Sequence, residues 1–124
     1  MKDMAGKVAI VTGGASGMGQ IITRRLVAQG ARVAIFDVND QGLQAMAAEA
    51  DTITALRCDI SSREEVEARV AEVAQNLGSI DLLVHCAALM PSYKLIDHTH
   101  EAWSGCFAST TSAPPTWCAL CCRR

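Results

Sequence analysis

Short apolar runs alternate with longer amphipathic segments along the first 85 residues. Residues 7–12, Lys-Val-Ala-Ile-Val-Thr, are apolar at consecutive rather than alternate positions and run into glycines. That pattern predicts a strand covered on both faces. Residues 32–36, 53–58 and 80–85 repeat it. Between the first two runs Met18, Ile22 and Leu26 recur at intervals of four, and the segment stops at Gly30. This predicts a helix with a glycine C-cap. Asn39 is placed to cap a second helix carrying Leu43, Met46 and Ala47. Ser61 and Ser62 each precede a glutamate by three positions, Glu64 and Glu65, a doubled capping-box signal. Val66, Val70, Val73 and Leu77 form the apolar stripe of that third helix, and Gly78 closes it. The order β-α-β-α-β-α-β with short links predicts an α/β fold around a parallel sheet.

Composition narrows the picture. The 124 residues carry 11 basic and 13 acidic groups, a net charge of -2, and half of them are apolar. At roughly 100–150 residues per domain there is room for one domain, and a chain of this size can bury a core. The near-balanced charge leaves no basic surface for phosphate backbones, which argues against nucleic acid as a partner. No apolar run approaches the roughly 18 residues of a membrane span, and Met1-Lys2-Asp3-Met4 leads directly into the first predicted strand, so a cytoplasmic location is expected. Composition breaks near Trp103: residues 103–122 hold no charge, and four of the six cysteines (Cys106, Cys118, Cys121, Cys122) fall in that stretch. Pro114-Pro115 continues neither a helix nor a buried strand. The expected division is therefore a folded part over residues 1–103 and a non-native or disordered tail over residues 104–124.

Thr12-Gly13-Gly14-Ala15-Ser16-Gly17-Met18-Gly19 joins the first strand to the first helix, and from it residues 1–103 are expected to form a dinucleotide-binding half domain. A strand-to-helix turn aims unpaired backbone N–H groups and the positive end of the helix dipole at one point, and glycines let a diphosphate approach the main chain. Asp37 stands at the end of the second strand, where a carboxylate can accept both ribose hydroxyls of an adenosine and repel a 2′-phosphate. With no arginine or lysine in the glycine turn or beside Asp37, NAD is expected over NADP. Taken alone, the glycine triplet could be an ordinary turn and Asp37 a turn residue or helix cap; the strand before, the helix after and the acid at the next strand end favour the nucleotide reading.

The spacing Thr-Gly-x-x-x-Gly-x-Gly resembles that of the short-chain dehydrogenase/reductase family. Further resemblances follow in chain order. Cys58-Asp59-Ile60 resembles the family's strand-end Asp-Val/Ile that borders the adenine, and residues 81–88, Asp-Leu-Leu-Val-His-Cys-Ala-Ala, resemble its Asp-x-Leu-Val-Asn-Asn-Ala-Gly. Glu101-Ala102-Trp103 looks like the start of the family's next helix. The resemblance covers residues 4 to 103. It implies a three-layer Rossmann-like sandwich with strand order 3-2-1-4, and a site for NAD in which Thr12, Gly13, Gly17, Met18 and Gly19 serve the diphosphate. Asp37 would serve the adenosine ribose, Asp59 and Ile60 the adenine, and Cys86, Ala87 and Ala88 the nicotinamide-side ribose. The chain departs from the pattern at His85-Cys86-Ala87-Ala88, which replaces two amides and a glycine; strand-end packing is the simpler reading of His85 and Cys86.

The resemblance further implies hydride transfer between a nicotinamide cofactor and an alcohol or ketone, with an Asn, a Ser and a Tyr-x-x-x-Lys downstream. This chain holds one tyrosine, Tyr93, and three lysines, Lys2, Lys7 and Lys94, so no Tyr-x-x-x-Lys spacing exists in it. Proton transfer must accompany hydride transfer, and the chain alone is expected to be inactive, with no catalytic residue and no metal ligand. An inactive NAD-binding or interaction protein, self-associating through an exposed sheet edge, is the alternative. A one-base shift of frame after Trp103 would account for the uncharged tail: with one base restored, degenerate codons for residues 104–113 can read Glu-Arg-Val-Leu-Arg-Val-Asn-His-Leu-Gly, which is similar to the family's Val-Asn-Leu-x-Gly helix. Trp117-Cys118-Ala119-Leu120-Cys121 lacks the following helix that a redox pair needs, and His98, His100, Cys118 and Cys121 lack the compact spacing of a zinc site. Disulfides are not expected in a reducing cytosol.

Overall fold

The structure, a computed structural model, describes residues 3–88. Tyr93, Lys94, Trp103 and the whole tail lie outside the described residues, together with every expectation that rests on them. The observed order is β1 (Val8–Thr12), α1 (Gly17–Ala28), β2 (Arg32–Asp37), α2 (Asp40–Ala47), β3 (Ile53–Arg57), α3 (Arg63–Leu77) and β4 (Leu82–His85). The strands pair in parallel in the order β3-β2-β1-β4. Both the element sequence and the strand order agree with the expectation from the sequence.

The continuous apolar runs have a direct cause. All five residues of β1 are buried, because each faces one of two apolar layers. Val8, Ile10, Ala34 and Phe36 pack beneath Val66, Val70 and Val73 of α3. Ala9, Val11, Val33 and Ile35 face the opposite way, against Leu26 of α1 and Leu43 and Met46 of α2. A strand covered on both faces by helices cannot alternate with polar residues, since burying a large aliphatic side chain contributes about 1.5–3 kcal/mol and burying an unpaired polar one costs a similar amount.

Two helix faces differ from the sequence reading. In α1 the buried residues are Gly19, Thr23 and Leu26, whereas Met18 is 73% exposed. The four-residue spacing located the helix, but the tight seat of its first turn on the backbone of Gly13 and Gly14 admits a glycine rather than a methionine. In α2 Leu43 and Met46 are buried and Ala47 is exposed, because eight residues give only one inward stripe of two. The end of α1 is as expected: Gly30 donates its N–H to the Val27 carbonyl and Ala31 donates to Leu26, the paired bonds of a Schellman motif.

Candidate functional site

The carboxyl ends of the strands open on a cavity of about 490 Å³. Its position follows from topology. The chain leaves β1 toward β2 on one side and later returns to β4 on the other, so the loops after β1 and β4 diverge and leave a crevice at the point of reversal.

The turn between β1 and α1 forms one wall. Gly13 has φ +67, and a Cβ there would stand 2.8 Å from the Ala87 amide nitrogen. Only glycine gives both the left-handed backbone and the room for the segment after β4. At Gly17 φ is +54 and nothing lies within 4 Å of the point where a Cβ would stand, so the backbone of the first helical residue faces open space. Gly19 lies on the carbonyl of Gly13, closing the turn on itself.

The start of α1 is electrostatically unlike the other two helix starts. Its N-cap, Ser16, makes no side-chain cap bond, and its first turn holds no acid. By contrast Asn39 accepts from the Gly42 N–H at 3.2 Å and Asp40 follows it in α2. Ser62 accepts from the Glu65 N–H at 3.4 Å, with Glu64 and Glu65 in the first turn of α3. The doubled capping-box signal resolves into two separate functions. Ser62 is the cap, but the Glu65 carboxylate takes the Asp59 N–H at 2.8 Å, and Ser61 donates its hydroxyl to Asp59 at 2.6 Å. The Ser61 hydroxyl and N–H together hold the Asp59 carboxyl below the usual carboxylate range.

Asp37, the last residue of β2, borders the cavity with its carboxylate already engaged. One oxygen accepts from the Val38 N–H at 2.8 Å and the Asn39 N–H at 3.1 Å; the other accepts from the Ala15 N–H at 3.2 Å. These bonds tie the glycine turn to the end of β2. Of roughly four acceptor positions on a carboxylate, about one is left for a ligand. The expectation that no arginine stands beside Asp37 needs correcting: Arg57 is its register partner on β3. Sequence distance hid this neighbour, which parallel pairing brings alongside. The Arg57 guanidinium turns to Asp40, 3.5 Å away, and does not line the cavity.

Of the residues singled out from the sequence, Gly13, Gly17, Met18, Gly19, Asp37, Asp59, Ile60, Cys86, Ala87 and Ala88 all border this one cavity. Thr12 does not. It is fully buried behind the wall, where its hydroxyl accepts from the Cys86 N–H at 3.1 Å and the Ala87 N–H at 3.3 Å. Ser16, Phe36, Val38, Cys58 and Ser61 also border the cavity, although none of them was expected to contact the cofactor. Each is the immediate neighbour of a residue that was, and adjacency to the glycine turn or to a strand end was the available signal. Burial pushes the Cys58 thiol up to about 12 and the Cys86 thiol upward as well, so neither is a ready thiolate at neutral pH. Uncapped N–H groups, glycine clearance and a carboxylate at the neighbouring strand end are the features a dinucleotide requires, and the residues present fit one.

No helix among the described residues is long and apolar enough to cross a membrane. Comparison with known proteins agrees with the fold and the turn. A sorbitol dehydrogenase of Cereibacter sphaeroides is 37% identical over 108 residues, which are 86% of this chain and 42% of that protein. The 2,5-dichloro-2,5-cyclohexadiene-1,4-diol dehydrogenase of Sphingobium indicum is 42% identical over 90 residues, 72% of this chain and 36% of that one. The crystal structure of a blue fluorescent protein from a metagenomic library, in complex with NADPH, superposes with a TM-score of 0.86 at 28% identity, covering 97% of this chain and 51% of that one. The chain thus spans about half or less of the length of these relatives. Residues 7–123 match the short chain dehydrogenase family model, and with the Rossmann-like sheet and the glycine turn in place the chain belongs to the short-chain dehydrogenase family.

Proposed function

We propose that this chain is the NAD-binding portion of an oxidoreductase that moves hydride between a nicotinamide cofactor and an alcohol or ketone. The observation that carries the reading is the uncapped, acid-free start of α1 at the wall of a cavity that Asp37 also borders. When bound, the nicotinamide ring accepts or donates the hydride. The chain's own residues do the rest of what it contributes. The N–H groups of Gly17, Met18 and Gly19 hold the diphosphate, and the remaining acceptor position of Asp37 takes one hydroxyl of the adenosine ribose. Asp59 and Ile60 border the adenine, and residues 86–88 border the second ribose. NAD is favoured over NADP because a 2′-phosphate would meet the Asp37 carboxylate, and the cation that could offset it, Arg57, is engaged with Asp40.

Catalysis by these 124 residues is absent in this reading, because no Tyr-x-x-x-Lys is present to move the proton. Isothermal titration of the chain with NAD and NADP tests the binding, and an assay of NAD-dependent alcohol oxidation tests the inactivity. Tighter binding of NAD, with Asp37→Ala narrowing the difference, supports the reading; equal affinity for both, or turnover by the chain alone, contradicts it.

A second reading keeps the chain as a binding or interaction module. Among the described residues β4 pairs on one side only, with β1, and an open edge invites a second copy of the chain. Sedimentation across a concentration series distinguishes a monomer from an edge-paired dimer. Residues 104–124 are proposed to lie outside the domain formed by residues 1–103, on the abrupt loss of charge after Glu101. The family match running to residue 123 weighs the other way, and sequencing the coding DNA across the Trp103 codon decides between a shifted frame and a true segment of the domain.

A further inference from the structure

We infer that His85 is a positioning residue that sets the cofactor-facing segment after β4 through the hydroxyl of Thr12. The two side chains meet because Thr12 and His85 are register partners on the adjacent parallel strands β1 and β4. Thr12 Oγ1 lies 2.8 Å from His85 Nδ1. The same oxygen accepts the Ala87 N–H and shares the Cys86 N–H with the Thr12 carbonyl oxygen, each 3.1 Å from that nitrogen. A hydroxyl has two acceptor positions and one proton. With both acceptor positions filled by backbone amides, the proton points to His85, so Nδ1 is the acceptor and the ring carries its hydrogen on Nε2. This arrangement does more than fill space. The histidine fixes the direction of the Thr12 proton, and so keeps both lone pairs turned toward the two amides.

What those amides hold is the wall of the cavity. Cys86 and Ala87 border it, and Ala87 rests against Gly13, where even a methyl group would stand 2.8 Å from the amide nitrogen. If the hydroxyl loses its orientation, the segment can lift away from the glycine turn. The consequence for NAD rests on the binding role proposed above; the consequence for the two amides does not.

Amide hydrogen exchange followed by NMR reads the second consequence directly. In His85→Ala, exchange at Ala87 accelerates by roughly fivefold or more, the scale of one hydrogen bond, whereas Cys86, which keeps the Thr12 carbonyl as acceptor, changes less. Exchange at Gly13, whose N–H bonds to the Phe36 carbonyl, stays as in the parent. His85→Asn, whose side-chain oxygen can accept from Thr12, restores protection. Should His85→Ala fail to fold, the pair Thr12→Ser and Thr12→Val gives the same contrast, serine retaining protection and valine losing it. In the parent, the ¹⁵N resonances of His85 show a protonated Nε2 and an unprotonated Nδ1. Unchanged protection of Ala87 in a folded His85→Ala, unchanged protection in Thr12→Val, or a proton on Nδ1 overturns the inference. Titration with NAD separates the two claims: a parent that binds no NAD refutes the binding role while the exchange data still judge His85, and a parent that binds NAD shows roughly threefold to tenfold weaker affinity in His85→Ala.

Discussion

Two helix starts in this molecule solve the same problem in opposite ways. Every α-helix begins with N–H groups that have no partner within the helix. At α3 the chain supplies its own partners: Ser62 caps, and Glu64 and Glu65 set negative charge against the positive end of the dipole. At α1 the cap position holds Ser16, which makes no cap bond, and the first turn holds Gly17 and Gly19 and no acid. A start such as that of α3 stabilises the fold. A start such as that of α1 costs the fold some stability and leaves its N–H groups open to an anion brought from outside, as the binding role proposed above requires. What marks such a start in a sequence is the absence of the cap and the acids that a neighbouring helix of the same chain supplies.

The largest effect that can be set against this comparison is at Gly13. Gly13→Ala combines a left-handed backbone with a clash against the Ala87 amide, and is expected to cost about 2–4 kcal/mol in urea unfolding, close to the loss of the fold. Gly17→Ala is sharper, because it separates binding from folding. Its side chain meets nothing in the protein, so stability falls only by about 1–2 kcal/mol for the backbone strain. Affinity for NAD, measured by titration calorimetry, falls by roughly tenfold or more, since the methyl occupies the space the diphosphate needs. Equal affinity in Gly17→Ala and parent would break the comparison at its functional end.

The caps themselves give the next effect. Ser62→Ala is expected to cost about 1 kcal/mol, the usual value of a lost N-cap, whereas Ser16→Ala costs less than about 0.5 kcal/mol because Ser16 makes no cap bond. Thermal unfolding of the two variants side by side checks the difference. The smallest effect concerns pH. Asp59 titrates below the ordinary carboxylate range because Ser61 hydrogen-bonds its charged form. A lowered folded-state value means that this contribution to stability is present above the unfolded carboxylate value and disappears as pH falls through the folded one. Ser61→Ala should move the Asp59 titration upward by NMR and weaken the acid dependence of stability, leaving stability at neutral pH lower by a few tenths of a kcal/mol, as for other exposed pairs.

Much of this fold was legible in the residues because its strands are buried on both faces. Consecutive apolar positions such as Val8 to Val11 have no other use in a chain of this composition. The helix caps Asn39 and Ser62 were equally plain, since capping is a local transaction between residues three apart. What the sequence pattern misread depends on packing between elements. Met18 shares the spacing of Ile22 and Leu26, yet the first turn of α1 lies so close to the backbone of Gly13 and Gly14 that glycine takes the inward place and methionine turns to the cavity. Glu65 reads as the reciprocal partner of Ser62, but the Asp59 N–H, brought near by the bend after β3, is the nearer donor. Arg57 beside Asp37 and His85 beside Thr12 are register facts, and no short-range pattern carries them. The residues of the candidate site fared as their range would predict. The glycine turn is contiguous and was read whole, whereas Val38 and Ser61 enter the cavity only through the curvature of neighbouring loops.

The most direct test of the account is the amide spectrum of the ¹⁵N-labelled chain during titration with NAD. The resonances of Gly17, Met18 and Gly19 are expected to shift and saturate, while those of Arg63, Glu64 and Glu65 at the start of α3 stay in place. Saturating NAD that leaves Gly17, Met18 and Gly19 unmoved, or that moves both helix starts alike, would contradict it.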